Sequence, residues 1–570
     1  MRKAGGWRAS FLLIALFVAP ATARAAEPLQ YDDRAIQTAF PARKGEWKPG
    51  CACGVVKDGR LALKAHYGMA NIKHAVLIDE FTNFDLGSTS KQFTAAVVAL
   101  LASDGVLSLG DDVRTWVPEL PEYGRTITLR DLMNHTSGLR DYTDLLTLAG
   151  HREEDVTTSA DALAILVRQK RLNFDPGSAY RYCNSGYFLL SVVVQRATGK
   201  SLRTVAEERI FKPLGMSRTT YLDDHTQIVP RRAMGYTATS PGQYATAMSD
   251  WEQVGDGGVQ SSIEDLVKWA AMFDHAGEPS PFPGAWLQVA LETPARLSDR
   301  TELAYGLGLG FERHRGLRVV EHGGSWAGYR AMLMRFPEKR IAIIVLCNFA
   351  QADTHRLAYT VADAVFDRSG PKADPVRSRP PGEPATGRRA SQEIGLYYNE
   401  LLGDILTVEV KDGSILIKEF DDAVPLRSSA AQTWVFADPG GDRVVSFAAD
   451  GGSVEVRNAG AVDPRPVTYL KAPPSERLPT GMFDGIEGTY WSDEVKAAWR
   501  VARKGSTVTV PLSKSESITM KPLAVDLLTS DWGLVRLRRN AMMEPIALSL
   551  TNRGVVDLTY TRIPADSLCR

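Results

Sequence analysis

The pattern of apolar residues divides the chain into two parts. Between residues 50 and 365, long apolar stretches at helical spacing lie between two alternating segments, as in STSKQFTAAVVALLASDG, SGYFLLSVVVQRATG and SIEDLVKWAAMF. The alternating segments predict two hairpins, CACGVVKDGRLALKAHYG and YRAMLMRFPEKRIAIIVLCN, and Asp58-Gly59 forms the first turn. Strands at both ends with helices between them predict an antiparallel sheet closed by the two ends of the region, with a helical layer inserted.

Beyond residue 390 the helical spacing disappears, and short alternating runs separated by turn residues predict antiparallel β-sheet. Two segments there resemble each other: GLYYNELLGDILTVEVKDGSILI begins at Gly395 and GTYWSDEVKAAWRVARKGSTVTV begins at Gly488. Each segment ends on a matching strand, VTYLK or LTYTR. Repeated segments of about eighty residues are typical of small closed β-barrels.

Two stretches rich in proline, glycine and charged residues predict linkers, at 369–390 and at 472–481. They divide the chain into a first domain at 27–368, a β-barrel domain at 391–471 and a second β-barrel domain at 482–570. Tandem barrels of this kind usually serve as spacers, docking modules or lids.

Residues 1–26 have the three-part layout of a secretory signal peptide: MRKAGGWR is basic, ASFLLIALFVAPA is apolar, and TARAAEP offers cleavage near Ala25 or Ala26. The apolar run is short for a membrane-spanning helix, and an uncleaved anchor is the alternative interpretation. No later segment has the length and apolar character of a span. We therefore expect a periplasmic or secreted protein without an integral membrane segment after signal cleavage.

Composition narrows the possible partners and cofactors. The 570 residues, 44% hydrophobic and 24% charged, are typical of a soluble protein of two or three domains. Sixty-seven basic residues balance 67 acidic ones, which argues against nucleic acid as a partner. Cys51 and Cys53 are too close on one strand for an unstrained mutual bond, and Cys183, Cys347 and Cys569 are scattered. We expect no disulfide framework, no metal site and no cofactor.

One stretch combines a helix start with reactive groups. In GSTSKQFTAA, Ser88 and Lys91 stand three residues apart, which places both side chains on one face of the predicted helix. A helix N-terminus stabilises negative charge, and a desolvated lysine can accept the proton of a serine. Serine is also a preferred N-cap, and lysines are commonly solvated. The tetrad alone leaves two interpretations open, a nucleophile with its base or a helix cap beside a surface lysine.

Two further stretches favour the first interpretation. FDPGSAYRYCNSGYFLL places Tyr182 and Asn184 two residues apart before a helix, so both side chains can face one cleft. VVEHGGSWAGYRAMLMRF places His322, Gly323 and Gly324 at the end of a strand, where paired glycines let a substrate approach closely. Each stretch alone is compatible with a structural role, whereas all three in this order indicate a catalytic site.

Ser-x-x-Lys, Tyr-x-Asn and His-x-Gly in this order resemble the motif set of the serine β-lactamase and penicillin-binding protein superfamily. The blocks LRDLMNHTSGL, GDGGVQSSIEDLVKW and YGLGLGF narrow the resemblance to the class C branch, with its esterases and D-stereospecific peptidases, over about 30 to 365. The resemblance implies an α/β (α+β) β-lactamase/transpeptidase-like sandwich with an antiparallel sheet and an all-helical subdomain, followed by the two small antiparallel β-barrels.

The resemblance also implies a role for each matching residue. Ser88 would be the acylated nucleophile, Lys91 its proton partner, and Tyr182 the general base or proton shuttle. The backbone N–H groups of Ser88 and Ser325 would form the oxyanion hole. His135 in NHTSG matches a block of the family at a position without a catalytic role, so we interpret it as structural. The substrate-binding residues would be Asn184, His322, Gly323 and Gly324.

The third motif departs from the Lys-Thr-Gly of many members. Lysine there supplies a permanent cation for a substrate carboxylate, whereas the histidine of His322-Gly323-Gly324 is mostly neutral at pH 7. The His-x-Gly form resembles D-aminopeptidases and some esterases. D-aminopeptidases of this family also carry two small β-barrels after the catalytic domain, and a loop of the last barrel reaches into their active site.

The leading hypothesis from the sequence is an exported serine peptidase or amidase for small peptides or amides with D-amino acids. The alternatives on the same site are a carboxylesterase and a weak β-lactamase or DD-peptidase, with small peptides, amides or esters as substrates. A non-catalytic penicillin-binding or sensory protein is the alternative from another class. The oligomeric state stays open at this stage.

Overall fold

The computed structural model describes residues 29–41, 47–274, 283–369 and 393–564. The last range has short gaps at 412–413, 420–421, 431–432, 439–440, 459–461, 475–476, 480 and 513–516. The expected signal peptide at 1–26 and nearly all of the linker at 369–390 lie outside the described residues, and the limits given above for the domains stay predictions.

The first domain combines helices with short and long strands. The helices are α1 (Asp33–Ala39), α2 (Lys91–Ser103), α3 (Val113–Trp116), α4 (Leu129–Met133), α5 (Tyr142–Leu148), α6 (Ser159–Val167), α7 (Asn184–Thr198), α8 (Leu202–Ala206), α9 (Ile263–Asp274), α10 (Gly284–Leu291) and α11 (Thr354–Ser369). The strands are β1 (Cys51–Lys57), β2 (Arg60–Tyr67), β3 (Met69–Asn71), β4 (Val76–Leu77), β5 (Phe84–Asp85), β6 (Thr220–Tyr221), β7 (Tyr236–Ser240), β8 (Gln243–Thr246), β9 (Val259–Ser261), β10 (Gly310–His314), β11 (Leu317–Trp326), β12 (Tyr329–Phe336) and β13 (Ile341–Cys347).

A six-stranded antiparallel sheet in the order β10-β11-β12-β13-β1-β2 forms the centre of this domain. The first hairpin joins the last strand of the sheet, as the sequence predicted, because β1 pairs with β13 along its whole length. Alternate residues face opposite layers: Val55 and Ile343 pack in the core shared with α1 and α11, whereas Val56 and Ile344 belong to the core shared with the inserted helices. The site described below lies on the second side.

The pairing of β1 with β13 overturns one expectation. Cys51 and Cys347 stand directly opposite each other, with Cα atoms 4.1 Å apart, and form a disulfide. They are 296 residues apart in sequence, and only the closure of the sheet by its two ends brings them together. The prediction of no disulfide framework was therefore wrong for this pair. Cys53 and Cys183 are free and buried.

Helix α2 is buried along most of its length, from Lys91 to Leu101. Polar side chains on such a helix need internal partners. Gln92 Oε1 accepts a hydrogen bond from Trp269 Nε1 at 2.6 Å, and Thr94 Oγ1 donates to the carbonyl of Gly255 at 2.7 Å. These bonds fix the position of α2 and therefore of the Ser88–Lys91 segment at its start. Among the described helices none has both the length and the apolar character needed to cross a membrane.

Two β units follow the first domain. The first is a nine-stranded antiparallel sheet, a half-barrel in the order β17-β16-β15-β14-β22-β21-β20-β19-β18. The second is a closed eight-stranded barrel. Their strands are β14 (Gly395–Asn399), β15 (Asp404–Lys411), β16 (Ser414–Glu419), β17 (Asp422–Pro425), β18 (Arg427–Ala430), β19 (Thr433–Asp438), β20 (Gly441–Phe447), β21 (Ser453–Asn458), β22 (Val467–Lys471), β23 (Gly488–Ser492), β24 (Ala497–Lys504), β25 (Thr507–Pro511), β26 (Ser517–Ala524), β27 (Leu527–Ser530), β28 (Gly533–Arg539), β29 (Pro545–Thr551) and β30 (Leu558–Ile563).

The Gly-x-Tyr repeat has a structural explanation. Tyr397 in the half-barrel and Tyr490 in the closed barrel are both fully buried. Each hydroxyl donates to the carbonyl four residues upstream, of Glu393 at 2.8 Å and of Ile486 at 2.7 Å. The two tyrosines therefore fix the first strand of each unit to the chain that enters it, which is why a tyrosine stands at the third position of both segments.

The closed barrel is anchored to the first domain by Arg140, whose side chain is 0% exposed. One guanidinium nitrogen, Nη1, donates to Glu494 Oε2 at 2.7 Å, and the other, Nη2, donates to the carbonyl of Val556 at 2.7 Å. Next to it, the backbone N–H of Asp141 donates to the carbonyl of Gly554 in the β29–β30 loop at 2.9 Å. The barrel thus contacts the segment that leads into α5.

Replacing Glu494 by Gln tests this anchor. The substitution leaves the buried Arg140 guanidinium without a counter-charge, so we expect the free energy of unfolding to fall by about 3–5 kcal/mol, measured by urea denaturation. Asp493→Asn is the matched control. Asp493 is 62% exposed and accepts from Lys496 and Trp491 at the surface, so the loss of its charge should cost less than about 0.5 kcal/mol. Equal stability of the two variants would contradict the anchor.

Candidate active site

Ser88 lies in a single 3₁₀ turn, Gly87–Ser90, between β5 and α2. The cap of this turn is Leu86 and the N-cap of α2 is Ser90, so the interpretation of Ser88 as a helix cap was wrong. Residues three apart in a 3₁₀ turn lie on the same side, which directs Ser88 towards Lys91. The neighbouring Thr89 Oγ1 donates to the carbonyl of His322 at 3.1 Å and ties the turn to β11.

Lys91 is 0% exposed, so the alternative of a surface lysine was also wrong. Its Nζ donates to Ser88 Oγ at 3.0 Å, to Asn184 Oδ1 at 2.9 Å and to the backbone carbonyl of Asp256 at 2.7 Å. Burial lowers the pKa of Lys91 to about 8, although the carboxylates of Asp256 and Asp141 oppose the shift. An amine with this pKa is partly neutral at pH 7, and its lone pair can then accept the proton of Ser88.

Tyr182 covers the same amine with its ring, whose centroid is 4.8 Å from Lys91 Nζ. Burial raises the pKa of Tyr182 well above its ordinary value, and the neighbouring Ser88 side chain opposes the shift. Its oxygen is buried, and no hydrogen-bond partner of adequate geometry is found among the residues that the structure describes. The phenol is therefore protonated and suited to pass a proton on rather than to hold a negative charge.

His322 does not face the cavity beside Ser88 but belongs to a buried relay. Its Nδ1 lies 2.6 Å from the carbonyl of Gly323 and must donate to it, which leaves Nε2 to accept from the Tyr305 hydroxyl at 3.1 Å. Tyr305 in turn is 3.2 Å from His135 Nε2, and this nitrogen donates because the Tyr305 proton is already used on His322. His135 Nδ1 is then the acceptor of the N–H of Cys183 at 3.1 Å.

Both histidines of this relay are neutral. Burial and the charge of Lys91 lower the pKa of His322 to about 4 and that of His135 well below its ordinary value. The centroid of the His135 ring lies 4.2 Å from that of the Tyr182 ring, so the relay packs against the tyrosine and helps to fix its position. His135 has the structural place that we expected, whereas Tyr305 was missed because its block, YGLGLGF, gave no chemical signal.

Two glycines allow β11 to touch the 3₁₀ turn. A Cβ atom on Gly324 would lie 1.9 Å from the carbonyl oxygen of Leu86, and one on Gly87, with φ +48°, would lie 2.8 Å from the backbone nitrogen of Ser325. This close approach places Ser325 beside Ser88, and both residues line the same cavity. Gly323 has no such constraint, because a Cβ atom there would meet its neighbours at 3.7 Å or more.

The cavity beside Ser88 has a volume of about 160 Å³. Sequence reasoning identified Ser88, Asn184 and Ser325 in its lining but missed a group of charged and aromatic residues, Asp85, Tyr142, Arg232, Trp251, Asp256 and Trp326. Asp256 lies in the GDGG turn, which only the glycine spacing marks in the sequence. Asn184 is held at the cavity by its backbone N–H, which donates to Asp141 Oδ2 at 2.5 Å.

A model of the Beta-lactamase family matches residues 36–366, more than half of the chain. The chain belongs to the Beta-lactamase family. A D-aminopeptidase of Cereibacter sphaeroides is 31% identical over 381 residues, which cover 66% of this chain and 70% of that protein. A D-aminopeptidase of Brucella anthropi is 32% identical over 323 residues, which cover 56% of this chain and 60% of that protein.

Solved structures share the fold at lower identity. The octameric penicillin-binding protein homologue from Pyrococcus abyssi has a TM-score of 0.53 and 21% identity, over 76% of this chain and 97% of that one. The structure of SurE with D-Leu has a TM-score of 0.50 and 22% identity, over 77% and 99% of the two chains. These structures show the fold alone. Family membership and the relatives named D-aminopeptidase make the chain a serine hydrolase that acts on amides or peptides.

For a Beta-lactamase family hydrolase with this site, the pKa of Lys91 predicts the pH profile. Only the neutral amine accepts the proton of Ser88, so kcat/KM should rise about tenfold per pH unit up to about pH 8 and then level off. p-Nitrophenyl acetate is a suitable substrate, because it does not titrate. The neutral histidines add no step between pH 5 and 7. A rate that already levels off near pH 6.5 would contradict Lys91 as the base.

Proposed function

We propose that this chain is an exported D-aminopeptidase-type serine hydrolase, which releases N-terminal D-amino acids from small peptides or amides through an acyl-enzyme on Ser88. The observation that carries the proposal is the buried Lys91, bonded to Ser88 Oγ at 3.0 Å and to Asn184 at 2.9 Å. Relatives named D-aminopeptidase at about 30% identity support the choice of substrate.

The geometry supports a complete acyl transfer. Neutral Lys91 takes the proton from Ser88 Oγ, which attacks the substrate carbonyl carbon, and the N–H groups of Ser88 and Ser325 stabilise the oxyanion. When the tetrahedral intermediate collapses, the C–N bond breaks and the leaving amine takes the proton from Lys91 through the Tyr182 hydroxyl. Water then attacks the acyl-enzyme and gives its proton to Lys91 through Tyr182. When the second intermediate collapses, the carboxylic acid leaves and Ser88 takes its proton back from Lys91.

The charges at the third motif disfavour a substrate carboxylate there. A β-lactamase or carboxypeptidase with Lys-Thr-Gly has a permanent cation at this position, whereas His322 is neutral, buried and bonded to Tyr305 at 3.1 Å. A neutral relay offers no ionic partner to a carboxylate. The site is therefore better suited to an aminopeptidase or an esterase than to a β-lactamase.

Substrate profiling tests the proposed activity. D-alanyl p-nitroanilide should be hydrolysed faster than its L isomer and than nitrocefin, and Ser88→Ala should lower kcat by at least about 10⁴-fold, because the nucleophile is lost. p-Nitrophenyl acetate distinguishes the alternatives: hydrolysis of this ester without any D-aminoacyl amide would replace the peptidase by a carboxylesterase. No adduct of a fluorophosphonate on Ser88, with no activity lost in Ser88→Ala, would favour a non-catalytic protein.

Export is supported by two independent features. Residues 1–26 have the layout of a signal peptide, and the Cys51–Cys347 disulfide is of the kind that forms in oxidising compartments. We expect intact-mass analysis of the periplasmic fraction to find a chain that begins near residue 26 or 27. Thiol reagents should not label Cys51 and Cys347 in this chain, because the two residues form a disulfide. A full-length chain in the cytoplasm with both thiols reactive would contradict export.

A further inference from the structure

Asp256 borders the cavity beside Ser88, and one oxygen of its carboxylate has no partner among the described residues. Asp256 is 9% exposed, and its Oδ2 accepts from the Tyr142 hydroxyl at 3.0 Å. Its Oδ1 is buried, and within the described parts of the chain no donor reaches it. A buried carboxylate oxygen without a hydrogen bond is costly, so a donor is expected when the site is occupied.

Lys91, whose charge acts on Asp256, is already engaged elsewhere. It uses its three N–H donors on Ser88, Asn184 and the backbone carbonyl of Asp256, so none is left for the carboxylate of Asp256. Burial raises the pKa of Asp256 to about 6, which leaves it ionised at neutral pH. The cavity is therefore bordered by a negatively charged residue with one unsatisfied acceptor.

Asp85, the second acidic residue that borders the cavity, has no unsatisfied oxygen. Asp85 accepts at Oδ1 from the N–H of Gly87 at 2.8 Å and at Oδ2 from Gln260 Nε2 at 2.7 Å, so both oxygens are satisfied. Arg232 also borders the cavity, its Nε has no acceptor among the described residues, and its charge acts on Asp85. A positive group of a ligand is repelled by Arg232 and is directed to Asp256.

Asp256 lies close to the nucleophile through its backbone, because its carbonyl is 2.7 Å from Lys91 Nζ, which is 3.0 Å from Ser88 Oγ. In a peptide the α-nitrogen lies about 2.5 Å from the carbonyl carbon of its own residue. That carbon is about 3–3.5 Å from the attacking oxygen before reaction. The α-nitrogen of a first residue therefore lies within about 6 Å of Ser88. Ser88 and Asp256 border the same cavity, which is where this nitrogen would be bound.

We infer that Asp256 binds the α-ammonium group of the substrate's N-terminal residue and so restricts hydrolysis to the first amide bond. This assignment rests on the proposed aminopeptidase function and names the group that would recognise its substrate. Ser88 and Asp256 border one cavity of about 160 Å³, a volume that suits a small group such as a single residue. The ammonium supplies the hydrogen-bond donor that Oδ1 lacks.

Asp256→Asn tests the assignment, because asparagine keeps the size and the bond to Tyr142 but loses the charge. The measured quantity is kcat/KM for D-alanyl p-nitroanilide divided by kcat/KM for p-nitrophenyl propionate, which has the same acyl size without the amine. We expect this ratio to fall about 10- to 100-fold, the usual effect of a charge-assisted hydrogen bond. Any change in the basicity of Lys91 that affects the attack of Ser88 cancels in the ratio, since both substrates depend on that step.

The matched control is Asp85→Asn, which neutralises a buried acid of the same cavity whose oxygens are both occupied and should leave the ratio within about threefold. Equal losses on both substrates in Asp256→Asn would overturn the assignment and give Asp256 a positioning role for Lys91. If the wild type hydrolyses the propionate ester but no D-aminoacyl amide, the proposed function fails, which is a different result.

A measurement on the wild type covers the case in which Asp256→Asn does not fold. D-alaninamide and propionamide differ by the amine, and each is added as a competitor of p-nitrophenyl propionate hydrolysis. We expect D-alaninamide to inhibit at least tenfold more strongly at pH 7.5, and its advantage to shrink below pH 6, where Asp256 becomes protonated. Tyr142, Lys91 and Asp141 act on the same carboxylate, so the comparison is made at constant ionic strength. Equal inhibition by the two amides would overturn the assignment.

Discussion

The burial of one ammonium group, that of Lys91, is the constraint on which the site depends. A lysine with 0% exposure is costly to keep charged, and the protein compensates with three oxygen acceptors, on Ser88, Asn184 and Asp256. Each acceptor comes from a different element: the 3₁₀ turn before α2, the first residue of α7, and the turn before β9. The amine therefore holds three distant segments of the chain together. The same burial lowers its pKa to about 8, so part of the protein carries Lys91 as a neutral base at physiological pH.

The closed barrel is linked to the Lys91 site by a series of hydrogen bonds. Asn184 is fixed by the carboxylate of Asp141, and the backbone of Asp141 is bonded to Gly554 in the barrel at 2.9 Å. Arg140, the preceding residue, carries the buried ion pair with Glu494 at 2.7 Å. A chain of bonds thus runs from the barrel to an acceptor of Lys91, although no residue of the barrel lines the described cavity. Docking of the barrel and the position of Asn184 are physically coupled.

Most of the predicted site residues that the structure brings together could be recognised from short patterns in the sequence. Ser88 and Lys91 are three residues apart in one turn, and Tyr182 and Asn184 are two apart before a helix, so their proximity follows from backbone geometry. The fold followed from hairpins at both ends of the first domain, and the repeat followed from Gly-x-Tyr. The orientation of His322 could not be predicted, because it depends on a hydrogen bond to Tyr305, and only the packing of the folded domain brings these two residues together.

Long-range pairings escaped prediction for a related reason. Cys51 and Cys347 meet only because β1 closes the sheet against β13, and a separation of 296 residues gives no local signal for that register. Asp256 looked like one more polar residue in a glycine-rich turn, since its significance comes from the burial of Oδ1 and from Tyr142 more than 100 residues earlier. Such residues acquire chemical meaning only when the packed interior fixes which of their donors and acceptors are satisfied.

The charges at the third motif and at the cavity can be understood together. At the third motif, a neutral relay of His322, Tyr305 and His135 stands where members with Lys-Thr-Gly place a cation, which removes the ionic partner of a substrate carboxylate. At the cavity, Asp256 contributes a buried carboxylate, and its backbone carbonyl accepts from the catalytic amine at 2.7 Å. The first feature disfavours a carboxylate at the third motif, and the second favours a cationic group beside Asp256. A site that combines the serine–lysine chemistry with these two features is suited to the amino end of a peptide.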